Sequence, residues 1–324
     1  MVKVWVHVAI QRRIQAGWRR PRIATAYQPL SVRAGLPARH ATDPAFSRNL
    51  DKDMPAAASL PLKRLLITGA AGALGRVLRD KLGADAAIRR LSDRSPMAAA
   101  GAGEEVIVCD LADKAAVEAL LKDVDAVVHL GGISVEGPFE PILQSNIIGI
   151  YNLYEAARKN GVGRVVFASS NHAVGFHPQS RTINADDPQR PDGYYGIAKC
   201  FGENLSRFYF DRYGIQTVCM RIGSSFPEPM DRRMLTTWLS YDDLAALVRR
   251  ALFAPDVGHT IVFGASNNRD SFWDNSKAAH LAWTPKDSAE PWRERLEAEP
   301  PLQAGDPLMI YQGGRYTAMG PYDK

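Results

Sequence analysis

The chain has 324 residues, of which 46% are hydrophobic and 23% are charged, and its formal net charge is +5. This composition is typical of a globular protein with a sizeable core and excludes a disordered or fibrous chain. No apolar stretch reaches the ~18 uninterrupted residues that span a bilayer, which excludes a transmembrane protein. The three cysteines lack C-x-x-C spacing, which argues against a disulfide scaffold or a structural zinc site. We therefore expect a cytoplasmic protein that binds no metal.

The positive charge is concentrated at the start of the chain. Residues 1–53 contain ten Lys or Arg and three acidic residues, a net of +7, so residues 54–324 carry a net charge of −2. Because the rest of the chain has no basic excess, we expect no binding to nucleic acid or to a membrane. Residues 1–62 are predicted to be a basic, disordered leader. The alternatives are a mitochondrial transit segment or a start codon placed upstream of Met54.

The first strong structural pattern begins at Lys63. An apolar run at 65–68 predicts a buried parallel strand, and apolar residues at helical spacing follow in 74–82. Between them stands a G-x-x-G-x-x-G turn, in which glycines allow close approach to a pyrophosphate and the helix N-terminus offers N–H groups. The pattern predicts dinucleotide binding by the turn residues Gly69, Gly72, Ala73, Leu74 and Gly75.

An acidic residue follows the second predicted strand, at 87–91. Asp93 lies 18 residues after Gly75, where a carboxylate accepts hydrogen bonds from adenosine ribose hydroxyls and repels a 2′-phosphate. We therefore expect NAD as the cofactor. Arg94 leaves NADP open, because a guanidinium at that place can hold a 2′-phosphate. A turn or helix-capping role is the alternative for Asp93.

Strand and helix patterns alternate along the rest of the chain. We predict further strands at 105–109, 124–130, 164–168, 215–222 and 260–263, and helices at 113–121, 146–158 and 241–253. This alternation predicts an α/β fold with a Rossmann-like, doubly wound parallel sheet, whose ligand lies at the carboxyl ends of the strands. We expect an NAD-binding domain at 63–264 and a small C-terminal substrate-covering segment at 265–324, assisted by loops 172–194 and 224–238.

Three residues indicate acid–base chemistry. Tyr195 and Lys199 have the i, i+4 spacing that places both on one face of a helix, and Ser170 follows the fifth predicted strand. A tyrosine with a pKa near ~10 is a poor base at neutral pH, but an adjacent ammonium and a positively charged nicotinamide lower that pKa. We predict that Tyr195 removes a substrate proton, while Ser170 holds the substrate oxygen and Lys199 supports Tyr195.

Together these motifs resemble the extended short-chain dehydrogenases/reductases over residues 63–264 and, within them, the uronate dehydrogenases. The segments that carry the closer resemblance are HLGGISVE at 129–136, FASSNH at 167–172, RPDGYYGIAK at 190–199, RIGS at 221–224, RMLTTW at 233–238, WDNS at 273–276 and QGG at 312–314. The resemblance implies NAD-dependent oxidation of D-galacturonate or D-glucuronate at C1 to an aldarolactone. Residues 1–61 lie outside it.

The resemblance also implies binding residues. For the cofactor they are Asp110, Leu111, Leu130, Gly131, Asn146 and Lys199. For the substrate they are Ser134, Ser170, Asn171, His172, Ser224 and Arg233. The guanidinium of Arg233 is implied as the partner of the substrate carboxylate, as bidentate pairing favours. Arg232 is a rival for that role, and for His172 a general base or a structural residue is the alternative.

The length of the chain bears on the substrate class. The 262 residues from Lys63 onwards leave little chain to hold a nucleotide, so a free sugar acid is favoured over a nucleotide sugar. An NAD-dependent nucleotide-sugar epimerase or dehydratase of the same fold is the main alternative, and an NAD-binding sensor or scaffold is another. We expect a homo-oligomer. The choice between galacturonate and glucuronate stays open, because they differ at one hydroxyl stereocentre.

Overall fold

The computed structural model describes residues 62–298, 303 and 305–322. The predicted leader therefore lies outside the described residues, apart from Leu62. Within the described part, seven strands form one parallel sheet in the order β3-β2-β1-β4-β5-β6-β7. The strands are β1 (Leu62–Thr68), β2 (Ala86–Asp93), β3 (Glu104–Val108), β4 (Ala126–His129), β5 (Arg164–Ser170), β6 (Gln216–Ile222) and β7 (His259–Gly264).

The strand order confirms the predicted doubly wound sheet. The chain first moves outwards from β1 through β2 to β3, and then returns to pair β4 with the other side of β1. In such sheets the crevice at the point of reversal, beyond the carboxyl ends of the strands, is the place where a ligand binds. The carboxyl ends of β1 and β4 therefore mark where the site is expected.

Helices cover both faces of the sheet. They are α1 (Ala73–Lys81), α2 (Lys114–Leu120), α3 (Phe139–Ile142), α4 (Gly149–Asn160), α5 (Tyr194–Tyr213), α6 (Met234–Thr237), α7 (Tyr241–Phe253), α8 (Arg293–Glu297) and α9 (Pro307–Ile310). Helices α1 and α7 share one apolar core with the sheet, and α2, α4 and α5 share the other. Because side chains of a strand alternate between the two faces, double coverage explains why the strands read as continuous apolar runs.

Two differences from the predicted element boundaries bear on the site, and the other boundaries shift by no more than three residues. The helix predicted at 146–158 is preceded by α3 and by a π-helical turn, Leu143–Ile148, so that helical structure begins earlier. The strand predicted at 164–168 continues as far as Ser170, because Ser170 still pairs with Ile222 of β6. Because of this extension, Ser169 and Ser170 both belong to the strand and are held by its pairing with β6.

Among the described residues, every helix is too short or too polar to cross a membrane.

Candidate active site

The glycine turn between β1 and α1 has the shape that a bound pyrophosphate requires. Gly69 has a left-handed backbone with φ +72°, and a Cβ atom there would lie 2.7 Å from the backbone nitrogen of Gly131. A Cβ atom on Gly75 would lie 2.2 Å from the Gly69 carbonyl oxygen, so glycine is required for this close packing. Gly72 caps α1 without a side-chain hydrogen bond, which leaves the N–H groups that begin at Ala73 for an anion.

Asp93, at the end of β2, is tied to the same turn. Its Oδ2 accepts a hydrogen bond from the Ala71 N–H at 3.1 Å, and its Oδ1 accepts one from the Ser95 N–H at 2.9 Å. Asp93 thus fills the turn-bracing role that the sequence left as an alternative. Each carboxylate oxygen can accept a second hydrogen bond, so the half-buried Asp93 still has acceptor capacity for a ribose hydroxyl.

Other predicted cofactor residues lie on the segments that follow β3 and β4. Asp110 is exposed, and the carbonyl of Leu111 accepts a hydrogen bond from Asn152 Nδ2 at 2.9 Å. The Gly131 N–H donates to Thr68 Oγ1 at 3.2 Å, which joins the ends of β1 and β4. Leu74 and Leu130, which were also predicted to bind the cofactor, are partly buried and pack against the apolar core. The ends of these strands therefore meet around the glycine turn.

Asn146 holds the loop after β4. Its Oδ1 accepts from the Ile133 N–H at 2.8 Å, and its Nδ2 donates to the Ile133 carbonyl at 2.8 Å. The side chain reaches this loop from the π-helical turn, and such turns are frequent at functional sites. Both polar atoms of the buried amide bind Ile133, so the predicted contact of Asn146 with the cofactor stays a prediction.

The predicted acid–base residues come together between β5 and the start of α5. Lys199 Nζ donates to the Ala168 carbonyl at 2.7 Å and lies 5.4 Å from the centroid of the Tyr195 ring. The side chain of Ser170 lies close enough to the phenol of Tyr195 to lower its pKa. All three side chains are buried. The arrangement places a phenol, an ammonium and a hydroxyl in one desolvated group.

Burial shifts the pKa values of this group. Desolvation raises the pKa of Tyr195 above its usual value, and the nearby hydroxyl of Ser170 opposes the rise. Desolvation also lowers the pKa of Lys199 to about 8, and the negative charge of Glu203 opposes that fall. The sequence prediction concerns the Lys199 ammonium together with the nicotinamide charge, so a lowered pKa of Tyr195 beside the cofactor stays a prediction.

Glu136 sets the position of Tyr195 and was not singled out from the sequence. Its Oε1 accepts from the Tyr194 N–H at 2.9 Å, and its Oε2 accepts from the Tyr195 N–H at 2.8 Å. The carboxylate thus caps the first turn of α5, where the helix dipole favours negative charge. The motif HLGGISVE contains this residue, but its role requires a contact across 59 sequence positions.

Arg233 is half-buried, and its hydrogen-bond partners are neutral oxygen atoms. Its Nη2 donates to the Gln312 carbonyl at 2.7 Å, and its Nη1 donates to Ser224 Oγ at 3.3 Å. The Asn171 amide, oriented with its nitrogen towards the Ile222 carbonyl, accepts from Arg233 Nη2 at 2.8 Å. Desolvation lowers the pKa of this guanidinium, and the charges of Asp231 and Asp192 oppose that fall. Among the described residues, however, no carboxylate forms an ion pair with Arg233.

The rival residue Arg232 points elsewhere. Arg232 Nη2 donates to the Glu297 carbonyl at 2.8 Å, at the end of α8. The side chains of these two neighbouring arginines, which directly precede α6, therefore point in different directions. Arg233 is the one that contacts Asn171 and Ser224. Arg233 is held there by the C-terminal segment, because Gln312 also accepts from its Nε at 3.1 Å.

His172 is fixed on two sides. Its Nδ1 lies 2.7 Å from Asp192 Oδ2, and its ring stacks on Tyr316 with centroids 3.9 Å apart. The same ring lies 5.8 Å from the Tyr195 ring. The sequence analysis did not identify Asp192 or Tyr316. Asp192 lies within the RPDGYYGIAK segment, but neither residue is close in sequence to His172, so no local pattern indicates these contacts.

The predicted substrate residues are thus brought together with one exception. Asn171, His172, Ser224 and Arg233 form a connected group with Ser170. Ser134 is exposed on the loop between β4 and α3, and within the part of the chain that the structure describes no hydrogen bond joins it to the group. Its predicted contact with substrate stays a prediction.

Comparison with known proteins adds to this geometry. The sequence profile of the NAD dependent epimerase/dehydratase family matches residues 65–261. A uronate dehydrogenase from Pseudomonas putida is 60% identical over 264 residues, which cover 81% of this chain and 98% of that protein. The crystal structure of a glucuronic acid dehydrogenase from Chromohalobacter salexigens has a TM-score of 0.79 at 53% identity, with 80% of this chain and 98% of that one covered. A mutant of the Agrobacterium tumefaciens uronate dehydrogenase complexed with NAD has a TM-score of 0.78 at 53% identity, with 81% and 99% covered.

The cofactor of this family agrees with the residues present. The glycine turn excludes a Cβ atom at two places, and the uncapped start of α1 offers N–H groups at the carboxyl end of β1. The family match covers more than half of the chain, and the Pseudomonas putida relative aligns along nearly its whole length. The chain therefore belongs to the NAD-dependent epimerase/dehydratase family, on the branch of the uronate dehydrogenases, and is an NAD-dependent oxidoreductase.

Proposed function

We propose that this chain oxidises a hexuronic acid, D-galacturonate or D-glucuronate, at C1 to the aldarolactone. The observation that carries the proposal is the half-buried guanidinium of Arg233, which hydrogen-bonds neutral oxygen atoms and forms no ion pair with a carboxylate among the described residues. Because burial of a cation without an anion is unfavourable, the site is suited to a ligand that brings a carboxylate. The relatives named above, a uronate dehydrogenase and a glucuronic acid dehydrogenase, support the same substrate class.

The acid–base group supplies the proton transfer. In its ionised form the Tyr195 phenol takes the proton of the C1 hydroxyl, and Ser170 holds the oxygen from which that proton leaves. Lys199, one helical turn further on, stabilises the phenolate by its charge. The chemistry that bound NAD⁺ would supply is acceptance of the hydride from C1. With the hydroxyl proton taken by Tyr195 and the hydride lost from C1, the C1–O bond becomes the lactone carbonyl. Gly69, Gly75 and the start of α1 would hold the cofactor.

The other polar side chains orient the sugar. The Asp192 carboxylate can only accept a hydrogen bond, so it favours the His172 tautomer that carries its proton on Nδ1. In that tautomer Nε2 is an acceptor for a sugar hydroxyl. Stacking on Tyr316 keeps the ring from turning. This geometry supports a binding role for His172 rather than that of the main base, which Tyr195 fills.

The substrate-covering segments contact one another at the site. The Gln312 N–H donates to the His177 carbonyl at 2.9 Å, and the Gly313 N–H donates to the Gly175 carbonyl at 2.8 Å. The Gln312 carbonyl also accepts the guanidinium of Arg233. These contacts join the C-terminal segment 265–324 to loops 172–194 and 224–238 and support the proposed domain division. The homo-oligomer and the cytoplasmic location stay predictions.

The proposal is tested by assaying NADH formation with four sugars in matched pairs. We expect absorbance of NADH to rise with D-galacturonate and D-glucuronate. D-galactose and D-glucose, which share the ring but lack the carboxylate, should give a kcat/KM that is lower by at least about ten-fold, because hydrogen bonds to charged groups contribute about 1.5–3 kcal/mol. If no uronate yields NADH, the proposal is wrong, and an epimerase or dehydratase that retains its NAD becomes the better candidate.

Asp93 carries the expected preference for NAD⁺ over NADP⁺. Asp93→Asn keeps an oxygen that can accept the Ala71 N–H, but removes the charge that repels a 2′-phosphate. We expect the ratio of kcat/KM for NAD⁺ to that for NADP⁺ to fall by about ten-fold, equivalent to ~1.4 kcal/mol. Arg94→Gln is the control and should not lower the ratio. An unchanged ratio in Asp93→Asn would mean that Asp93 only braces the turn.

A further inference from the structure

A third residue continues the catalytic face of α5. Tyr195, Lys199 and Glu203 follow one another at intervals of four residues, so all three lie on one side of the helix. The end of β5 contacts the last two: the Ala168 carbonyl accepts from Lys199 at 2.7 Å, and Ser169 Oγ donates to Glu203 Oε1 at 2.6 Å. Glu203 is therefore built into the same strand–helix junction as the acid–base group.

Glu203 is paired with Arg221 of β6. Arg221 Nε lies 2.9 Å from Glu203 Oε1 and Arg221 Nη2 lies 2.8 Å from Oε2, which is a bidentate pair. Each side chain is only 1% exposed. Gln189 Nε2 also donates to Glu203 Oε2 at 2.9 Å. Arg221 stands opposite Ser169 in the register of β5 and β6, so the pair spans the sheet directly beneath the acid–base group.

Stability does not explain the position of this pair. A buried ion pair is often no more stable than apolar residues of similar volume, because the desolvation of both charges offsets their attraction. The same low dielectric strengthens the effect of each charge on other buried groups. The pair is therefore better placed to act on a neighbour than to stabilise the fold.

Lys199 is the neighbour on which Glu203 acts. The titratable groups that interact with Lys199 are His129 of β4 and Tyr195 and Glu203 of α5. His129 is neutral, because burial and the Lys199 ammonium lower its pKa to about 3. Among the described residues, Glu203 is the acidic group that raises the pKa of Lys199 against the effect of burial.

We propose that Glu203 and Arg221 form a positioning pair, in which Arg221 locks the carboxylate of Glu203 so that it keeps Lys199 charged beside Tyr195. The inference rests on the proposed function, in which Lys199 supports the phenolate of Tyr195. Arg221 acts through Glu203: its hydrogen bonds lower the pKa of that carboxyl, whereas burial raises it. Neither residue touches substrate in this scheme.

The test compares two variants that break the same pair from opposite sides. Glu203→Gln removes the carboxylate that opposes the effect of burial, and we expect the pKa of Lys199 to fall by at least about one pH unit. Arg221→Met removes the hydrogen bonds that lower the pKa of the Glu203 carboxyl, so the pKa of Lys199 should fall as well, and it should fall less in Arg221→Lys, which keeps a cation beside that carboxyl. The measurement is NMR titration of isotope-labelled lysine in the full chain, with Lys199→Met used to assign the resonance. A purely structural role predicts no shift in the pKa of Lys199 in folded Glu203→Gln, which would overturn the proposal.

A double variant keeps the test decisive if Arg221→Met does not fold. Glu203→Gln with Arg221→Met removes both charges, and because Arg221 acts through Glu203, the pKa of Lys199 should then fall by the same amount as in Glu203→Gln alone. Unequal falls would contradict the proposal. The high-pH limb of the kcat/KM profile should also move to lower pH in Glu203→Gln, by about the same one unit. The NMR result does not depend on turnover, so absence of uronate oxidation would refute the proposed function and leave this inference testable.

Discussion

Replacing Tyr195 by Phe is expected to lower kcat for uronate oxidation by about 10²–10⁴-fold, the usual contribution of a positioned general base. The substitution removes only the phenol oxygen, whose pKa the nearby Ser170 lowers. The ring keeps its burial and its contact with the ring of His172. The helix cap from Glu136 is also kept, because it binds backbone N–H groups. The loss should therefore lie in chemistry and not in folding.

Binding of NAD⁺ separates this prediction from a general loss of structure. The glycine turn and Asp93 hold no contact with the phenol oxygen, so the Kd of NAD⁺ measured by calorimetry should be the same in Tyr195→Phe and in the wild type. Tyr194→Phe is the matched control, since it removes a hydroxyl from the adjacent residue, whose side chain is 43% exposed. If Tyr195→Phe turns over at the rate of the wild type, Tyr195 is not the base.

Turnover is also expected to rise with pH over the range in which Tyr195 loses its proton. The sign follows from the mechanism, because only the deprotonated phenol can accept the proton of the substrate. Burial raises the pKa of Tyr195, so the ionised fraction near neutral pH depends on positive charge beside it. Lys199, whose pKa is about 8, supplies that charge only while it is protonated.

Replacing Arg233 by Met is expected to raise the KM for uronates by about 10–100-fold, since a hydrogen bond to a charged group contributes about 1.5–3 kcal/mol. The KM for NAD⁺ should not change, because the contacts of Arg233 lie with Ser224, Asn171 and Gln312 and not with the glycine turn. The preference for a uronate over the matching neutral hexose should disappear as well. A steady-state assay of both substrate types measures these effects.

Arg232→Met is the control for Arg233→Met. It removes the same charge one residue earlier, where the guanidinium binds the Glu297 carbonyl, so the KM for uronates should stay within about two-fold, as expected for a change outside the site. The folding stability of Arg233→Met adds a second readout. Arg233 forms no ion pair among the described residues. In the absence of substrate, the free energy of unfolding of Arg233→Met should therefore differ from that of the wild type by no more than about 1 kcal/mol. An unchanged uronate KM in Arg233→Met would mean that another group binds the carboxylate.

Local patterns were sufficient to predict the frame of the site. The glycine turn, the acid after β2 and the spacing of Tyr195 and Lys199 each depend on a few adjacent residues, whose backbone conformation follows from their own side chains. The strand–helix alternation likewise predicted the parallel sheet that brings the ends of β1, β4 and β5 together. Sequence motifs therefore predicted the turn and the strand ends around which the candidate site is built.

The sequence left open the features that arise from burial and from contacts between distant segments. Glu136 caps α5 from 59 positions away, and Gln312 holds Arg233 from 79 positions away. The rise that burial causes in the pKa of Tyr195 could not be read from the sequence either, because desolvation depends on how many side chains surround the phenol. Arg232 and Arg233 are chemically identical neighbours, so the sequence could not show which one lies in the site. Contacts with the C-terminal segment decide it, because Arg232 binds the Glu297 carbonyl and Arg233 binds the Gln312 carbonyl. Spacing along a chain encodes local backbone geometry, whereas dielectric environment and long-range partners exist only once the chain has packed.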